Sequence, residues 1–202
     1  MRDPAAKGEM MDEVAQWGGA DILVNNAGMQ KPASLEDVTT EIWDDILSVN
    51  LSAAFHTMRR AMPLMVKRGY GRVINIASVH GLVASIDKAP YVASKFGLVG
   101  LSKVAALEYA SKGTKETGGI TVNCICPGWT ESSMIEPQVL SRSAEFNGDR
   151  VAATASLLEE KQPTLRTSDA AEIGQLALWL TNPIAHNITG TSIPVDGGWT
   201  AR

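Results

Sequence analysis

Tyr91 and Lys95 lie four residues apart in the stretch YVASK, and Ser78 precedes Tyr91 by thirteen positions. Residues at i and i+4 share one face of a helix, so a phenol and an ammonium placed this way point in the same direction. A free tyrosine titrates near pH 10 and is a poor base at neutral pH, but a neighbouring ammonium favours the phenolate. Lys95 is therefore expected to bring the Tyr91 pKa down toward the working range. A phenol tuned in this way suits removal of a proton from an alcohol, or its return to a ketone, with a serine hydroxyl to orient the reacting oxygen. The same spacing also describes an ordinary amphipathic helix face, and the elements that carry the residues decide between the two.

Those elements alternate. Residues 10–17 read as the end of an amphipathic helix stopped by Gly18 and Gly19, and DILVNNAG follows as a short buried strand with a polar tip. TTEIWDDILSVNLSAAFHTMRRAMPLMVKRGY reads as one long helix, capped by Thr39 or Thr40 and interrupted late, at Pro63. GRVINIAS is the next strand. Residues 89–112 form a second long helix, its period set by Val92, Phe96, Val99, Leu101 and Leu107. GITVNCICPGW is a β-branched strand ending in a Pro-Gly turn, and residues 131–165 are polar and irregular with short helical pieces. A helix then opens at Thr167 or Ser168, with Glu172 in its first turn, and stops before Pro183; GTSIPVDGGW supplies a last strand. Strands alternating with helices of this length predict an α/β, Rossmann-like, doubly wound sheet of parallel strands with helices on both faces, in a single domain over residues 1–202.

In such a sheet the ligand sits beyond the carboxyl ends of the strands, and the polar residues collect there. Asn25, Asn26 and Gly28 close the first strand, Ser78 and His80 the second, Pro127, Gly128 and Trp129 the third, and Asp196 to Trp199 follow the fourth. A formal net charge of −4, with no clustered basic patch, argues against a nucleic-acid or anionic-membrane surface. No apolar run reaches transmembrane length and the leading segment lacks a signal-peptide core, so a cytoplasmic location and no membrane partner are expected. Cys124 and Cys126 fall on one face of a strand and read as buried reduced thiols; no spacing suggests a metal site. His56 and His186 read as structural.

Ser78, Tyr91 and Lys95, with Asn50 in the preceding helix and the NNAG and PGW segments, together resemble the short-chain dehydrogenase/reductase family, from about Asp21 to Trp199. The resemblance implies a catalytic tetrad of Asn50, Ser78, Tyr91 and Lys95. Tyr91 would be the general acid/base and Ser78 would orient the substrate oxygen, while Lys95 would also bind the nicotinamide ribose and Asn50 would hold a relay water. NNAG, with Asn25, Ala27 and Gly28, would lie beside the cofactor. So would Pro127, Gly128, Trp129 and Ser132, the last standing where the family more often has threonine.

A narrower set of segments, NNAGMQ, NIASVHGLVAS, DKAPYVASK, CPGW, EKQP and VDGGW, resembles the branch of that family that interconverts 3-hydroxybutyrate and acetoacetate with NAD in ketone-body metabolism. That resemblance implies an NAD cofactor, a small hydroxy acid as substrate and a homo-oligomer, a dimer or tetramer, built through the two long helices. Donors for the substrate carboxylate would be Gln30, His80, Lys88 and Gln162, with Trp129 over the methyl end and Trp199 closing the site. Each has a plainer reading beside it: His80 and the glutamines as turn residues, Lys88 as a solvated side chain, Trp199 as a core or subunit-interface residue. Other small alcohols or ketones remain open as substrates, as does a non-enzymatic isoform that associates with longer subunits.

The family's glycine-rich phosphate turn has no counterpart in the 24 residues before Asn25. The expectation is a sheet lacking the first three family strands, with DILVNN as an exposed edge and with weak or no turnover by the isolated chain. YASKGTKETGGITVN is longer than the usual link and reads as a surface insertion remote from the chemistry.

Overall fold

The computed structural model describes residues 4–201; residues 1–3, part of the leading segment read above as lacking a signal core, and residue 202 lie outside them. Helix α1 (Pro4–Gln16) stops at Gly18 and Gly19, both at positive φ, whose N–H groups return to the carbonyls of Ala15 and Val14. Four parallel strands follow in the spatial order β1 (Ile22–Asn25), β2 (Tyr70–Ile76), β3 (Gly119–Pro127) and β4 (Ser192–Val195). Period-two alternation divides their side chains between two cores. Val73 and Val122 pack with Met11 of α1, with Met58, Met62 and Met65 of α3 (Ala53–Arg68), and with Ala105 and Ala106 of α4 (Ala89–Tyr109). Ile74 and Ile125 pack on the opposite face against Ile173 and Leu180 of α7 (Ala170–Leu180). The parallel α/β architecture is the expected one.

Several local expectations change. The strand β1, whose apolar run suggests burial, is the exposed sheet edge expected for DILVNN, and Ile22 and Val24 are each 46% exposed. They lie on the α7 side, in register with Arg72 and Ile74, while α7 itself lies over β2 and β3. The long helix before β2 is not continuous: α2 (Thr40–Leu47), capped by Thr39 Oγ1, passes into a π-turn over Ser48–Ser52 before α3 begins. Pro63 does not interrupt α3, because it and Arg59, whose carbonyl loses its helical partner, are both exposed to water. The segment 131–165 is more regular than its polarity suggests, holding α5 (Glu136–Ser143) and α6 (Arg150–Lys161). The cap of α7 is Asp169, which forms a capping box with Glu172; Ser168 instead pairs by a β-bridge with Thr130.

Helix α4 follows its apolar pattern only in part. Val99 is buried and Leu101 packs on the core, but the buried face also carries Tyr91, Ser94, Lys95, Leu98, Ser102 and Ala105, whereas Phe96 and Leu107 point outward. The polar residues go inward because the ends of β2 and β3 place partners under them.

The insertion before β3 lies at the opposite end of the sheet from those tips. Arg72, wholly buried, holds it by donating to the carbonyls of Gly71, Gly118 and Gly119 at 2.9, 3.1 and 3.0 Å, with its guanidinium 4.5 Å from the Tyr70 ring centroid. Burial pushes the Arg72 pKa down. Arg72→Met should lower stability by about 1–3 kcal/mol, the scale for losing charge-assisted bonds, and leave the active site unchanged. A thermal melt reads this directly; an unchanged Tm would mean that relief from desolvation offsets the three lost bonds.

Candidate active site

The tips of β1, β2 and β3 surround a cavity of about 620 Å³. Ser78, at the end of β2, is held by a turn of 3-10 helix in which its Oγ accepts from His80 N at 3.2 Å. Tyr91 and Lys95 enter from the first two turns of α4, which Pro90 helps to start. Lys88 precedes that helix, in a turn pinned by Ala33 N donating to Asp87 O at 2.9 Å. Gly128 leaves no room for a side chain, since a Cβ there would stand 2.7 Å from Gln162 Oε1 and 2.9 Å from Asp196 Cα. Asp196 in turn fixes Trp199, accepting from Gly198 N and from the backbone and hydroxyl of Thr200.

Most of the expected site residues line this one cavity. Ala27, Gly28, Gln30, Ser78, His80, Lys88, Tyr91, Lys95, Pro127, Gly128, Trp129, Ser132 and Trp199 are all on its wall. Three others are not. Asn25 turns into the core, donating to Asn75 Oδ1 and accepting from Thr57 Oγ1, each at 2.7 Å, and its neighbour Asn26 faces the cavity instead. The network continues from Asn75 to Ser102 Oγ at 2.7 Å, which also accepts from Cys124 Sγ at 3.1 Å. Asn50 sits behind the wall, 2% exposed, its amide tied to both the N–H and the carbonyl of Met29 at 2.9 Å. Gln162 is buried as well: Oε1 accepts from Trp129 N at 3.0 Å and Nε2 donates to Arg166 O, so it supports the wall from behind and does not line the cavity.

A second glutamine joins Gln30 on the cavity wall: Gln138, whose Oε1 accepts from Lys88 Nζ at 3.0 Å. The signal for it was present. Glu136-Pro137 is a helix start, and Ile135 and Val139 pack inward on either side of Gln138.

The electrostatics reverse one expectation. Burial is the main influence on Tyr91 and raises its pKa; the Ser78 hydroxyl pulls the other way, and the lowering expected from Lys95 does not appear. Lys95 is itself buried, which lowers its pKa to about 8. Its ammonium donates to Ile76 O at 2.8 Å and lies 5.7 Å from the Tyr91 ring centroid. Lys88 is lowered to about 8 by burial and then by the charge of Lys161. His80 falls to about 4, again by burial first and then by Lys88. His80 Nδ1 lies 3.3 Å from Val83 O, which can only accept, so Nδ1 carries the proton and Nε2 is an acceptor. His80 is thus not the donor it was expected to be unless it gains a proton. Its ring meets Trp199 edge-on at 5.3 Å, and Lys161 lies 5.2 Å from the Trp199 ring centroid.

The wall suits the nicotinamide riboside end of a dinucleotide. Around Gly28 the wall is open and polar, with an acceptor, Asn50 Oδ1, and a donor, Lys95 Nζ, each 3.7 Å from the place a Cβ would take. Lys95 has two ammonium protons beyond the one given to Ile76. Among the described residues no helix is long and apolar enough to cross a membrane.

Known proteins with the same arrangement place the chain. A family model described as enoyl-(acyl carrier protein) reductase matches residues 1–200. D-beta-hydroxybutyrate dehydrogenase of Rhizobium meliloti is 45% identical over 203 aligned positions, covering 100% of this chain and 76% of the relative. The protein of the same name from Cupriavidus necator is 45% identical over 200, covering 98% of this chain and 75% of its own. A gluconate 5-dehydrogenase from Burkholderia cenocepacia, solved with NADP and tartrate, superposes with a TM-score of 0.85 at 30% identity, over 100% of this chain and 73% of that one. Likeness along the whole chain, together with a serine, a tyrosine and a lysine converging at the tips of a parallel sheet, means that this chain belongs to the short-chain dehydrogenase/reductase family.

Proposed function

We propose that the site interconverts 3-hydroxybutyrate and acetoacetate with NAD. The observation that carries the reading is the meeting of Ser78, Tyr91 and Lys95 with Gln30, Lys88 and Gln138 on one cavity wall. That set pairs proton-transfer groups with donors for a carboxylate, as a small hydroxy acid requires. The two D-beta-hydroxybutyrate dehydrogenases at 45% identity support the substrate. The gluconate 5-dehydrogenase structure holds NADP, which makes the comparison of the two cofactors part of the test.

Ser78 and Tyr91 would hold the carbinol or carbonyl oxygen, and Tyr91 Oη would take or return its proton. Lys95 would hold the ribose hydroxyls and stabilise charge developing beside the phenol. Lys88 would bind the carboxylate, releasing Gln138 to donate through its own amide. A bound nicotinamide would supply the hydride donor or acceptor and, when oxidised, a positive ring that favours the Tyr91 phenolate. The homo-oligomer expected above would use α3 and α4, whose Phe55, Phe96, Val104 and Leu107 are exposed.

The test compares 3-hydroxybutyrate with butan-2-ol, the same carbinol without a carboxylate, with NAD and NADP in parallel. Cofactor reduction by the hydroxy acid should exceed that by the neutral alcohol by about 100-fold or more, the scale of one charge-assisted contact left unmade. Equal rates would reject the carboxylate subsite, and a preference for NADP would reject that part of the proposal.

A further inference from the structure

Asn50 and Tyr91 lie on different elements, the π-turn and α4, yet one side chain touches both. Ser94 Oγ accepts from Asn50 Nδ2 at 3.1 Å and donates to Tyr91 O at 2.7 Å. The hydroxyl is fully buried and its single proton is committed to the Tyr91 carbonyl, so a lone pair is what it offers Asn50. Asn50 uses its other amide proton on Met29 O and its oxygen on Met29 N. Met29 directly follows Gly28, on the cavity wall. A chain of hydrogen bonds therefore joins the loop after β1, the π-turn and the turn of α4 that carries Tyr91 and Lys95.

We infer that Ser94 is a positioning residue that locks the π-turn to α4, so that Asn50 and the Tyr91–Lys95 pair keep one geometry. The inference rests on the catalytic reading of Tyr91 and Lys95 for its effect on turnover, but the lock itself is independent of any reaction. A π-turn has looser hydrogen-bond geometry than the α-helix around it and is the part of this helix most in need of an outside tie. The bond is buried, so neither partner finds water when the other is removed.

The test uses the full chain with Ser94→Ala and Ser94→Cys. The thiol has nearly the shape of serine but is a weak donor and acceptor, so a role in packing alone predicts wild-type behaviour for Ser94→Cys, and a hydrogen-bonded lock predicts that it resembles Ser94→Ala. Amide hydrogen exchange should accelerate about 3- to 10-fold at residues 29 and 48–52 in both variants, the scale of one lost bond, while residues 98–106 of α4 stay as protected as in the wild type. In turnover, kcat should fall by a similar factor with KM unchanged. Adding Ser94→Ala to Asn50→Ala should cost nothing further, because the two act as one unit. Unchanged exchange at 48–52, wild-type behaviour of Ser94→Cys, or additive losses in the double variant would each overturn the inference. A wild-type chain that oxidises no hydroxy acid would reject the proposed function, and the exchange measurements would still decide the lock.

Discussion

Tyr91→Phe should reduce kcat by about 10²- to 10⁴-fold, the usual contribution of a positioned general acid/base, while the fold is kept. Only Oη is lost: the ring stays packed, 6.0 Å from His80 and with Lys95 beside it. Because the residue is 7% exposed and burial already disfavours its charged form, removing the hydroxyl should leave Tm unchanged or slightly raised. The pH dependence carries the same signature. With its pKa raised, Tyr91 is protonated at neutral pH, the form that donates to a ketone. Reduction should therefore proceed at neutral pH, and oxidation should accelerate as pH rises and the phenolate fraction grows. Tyr91→Phe should abolish that rise. Residual activity above a tenth of wild type would remove Tyr91 from the proton-transfer step.

Lys88→Met should act on binding. An ammonium that meets the carboxylate equally in ground and transition states lowers KM without changing kcat. Its loss should raise KM for the hydroxy acid by about 10- to 100-fold, the equivalent of one strong charge-assisted hydrogen bond. The pH profile separates this from a packing defect. Lys88 is charged below about 8 and neutral above, so wild-type KM should begin to climb near pH 8, whereas the variant should be uniformly poor and flat. Lys95 loses its charge in the same range, but its effect should fall on kcat and on cofactor binding, so the two can be read separately. Rates with butan-2-ol provide the control, since Lys88→Met should leave them alone. An unchanged KM for the acid would move the carboxylate elsewhere and favour a different hydroxylated substrate.

What could be read from the sequence follows from how local each cause is. The i, i+4 pair of Tyr91 and Lys95 and the strand-end position of Ser78 need only regular geometry, and all three meet on the cavity wall. Asn25 and Asn26 were also readable: Leu23 and Asn25 share the inward face of β1, so Asn26 must point elsewhere. The withdrawal of Gln162 from the cavity was not local, because only the return of the chain after α6 brings it under Trp129. Nor could the sequence show the π-turn at Asn50, which extends the helical hydrogen bonding with no marker residue. The sign of the Tyr91 shift depends on how deeply α4 is buried, and its outward Phe96 and Leu107 suggested the wrong face.

The amide network beneath the cavity bears on how the sheet finds its alignment. Asn25, Asn75 and Cys124 are direct register partners on adjacent strands. Parallel strands rich in valine and isoleucine discriminate poorly against a slip of two residues, because such a slip keeps every apolar side chain on its own face. Here it would set Asn25 against Val73 or Ala77 and strand the Asn75 amide, at about 1–3 kcal/mol for each buried group left unpaired. The asparagines thus act as a ruler for strands whose hydrophobic pattern alone would accept several alignments, and the same ruler sets the height at which Ser78 stands beside Tyr91.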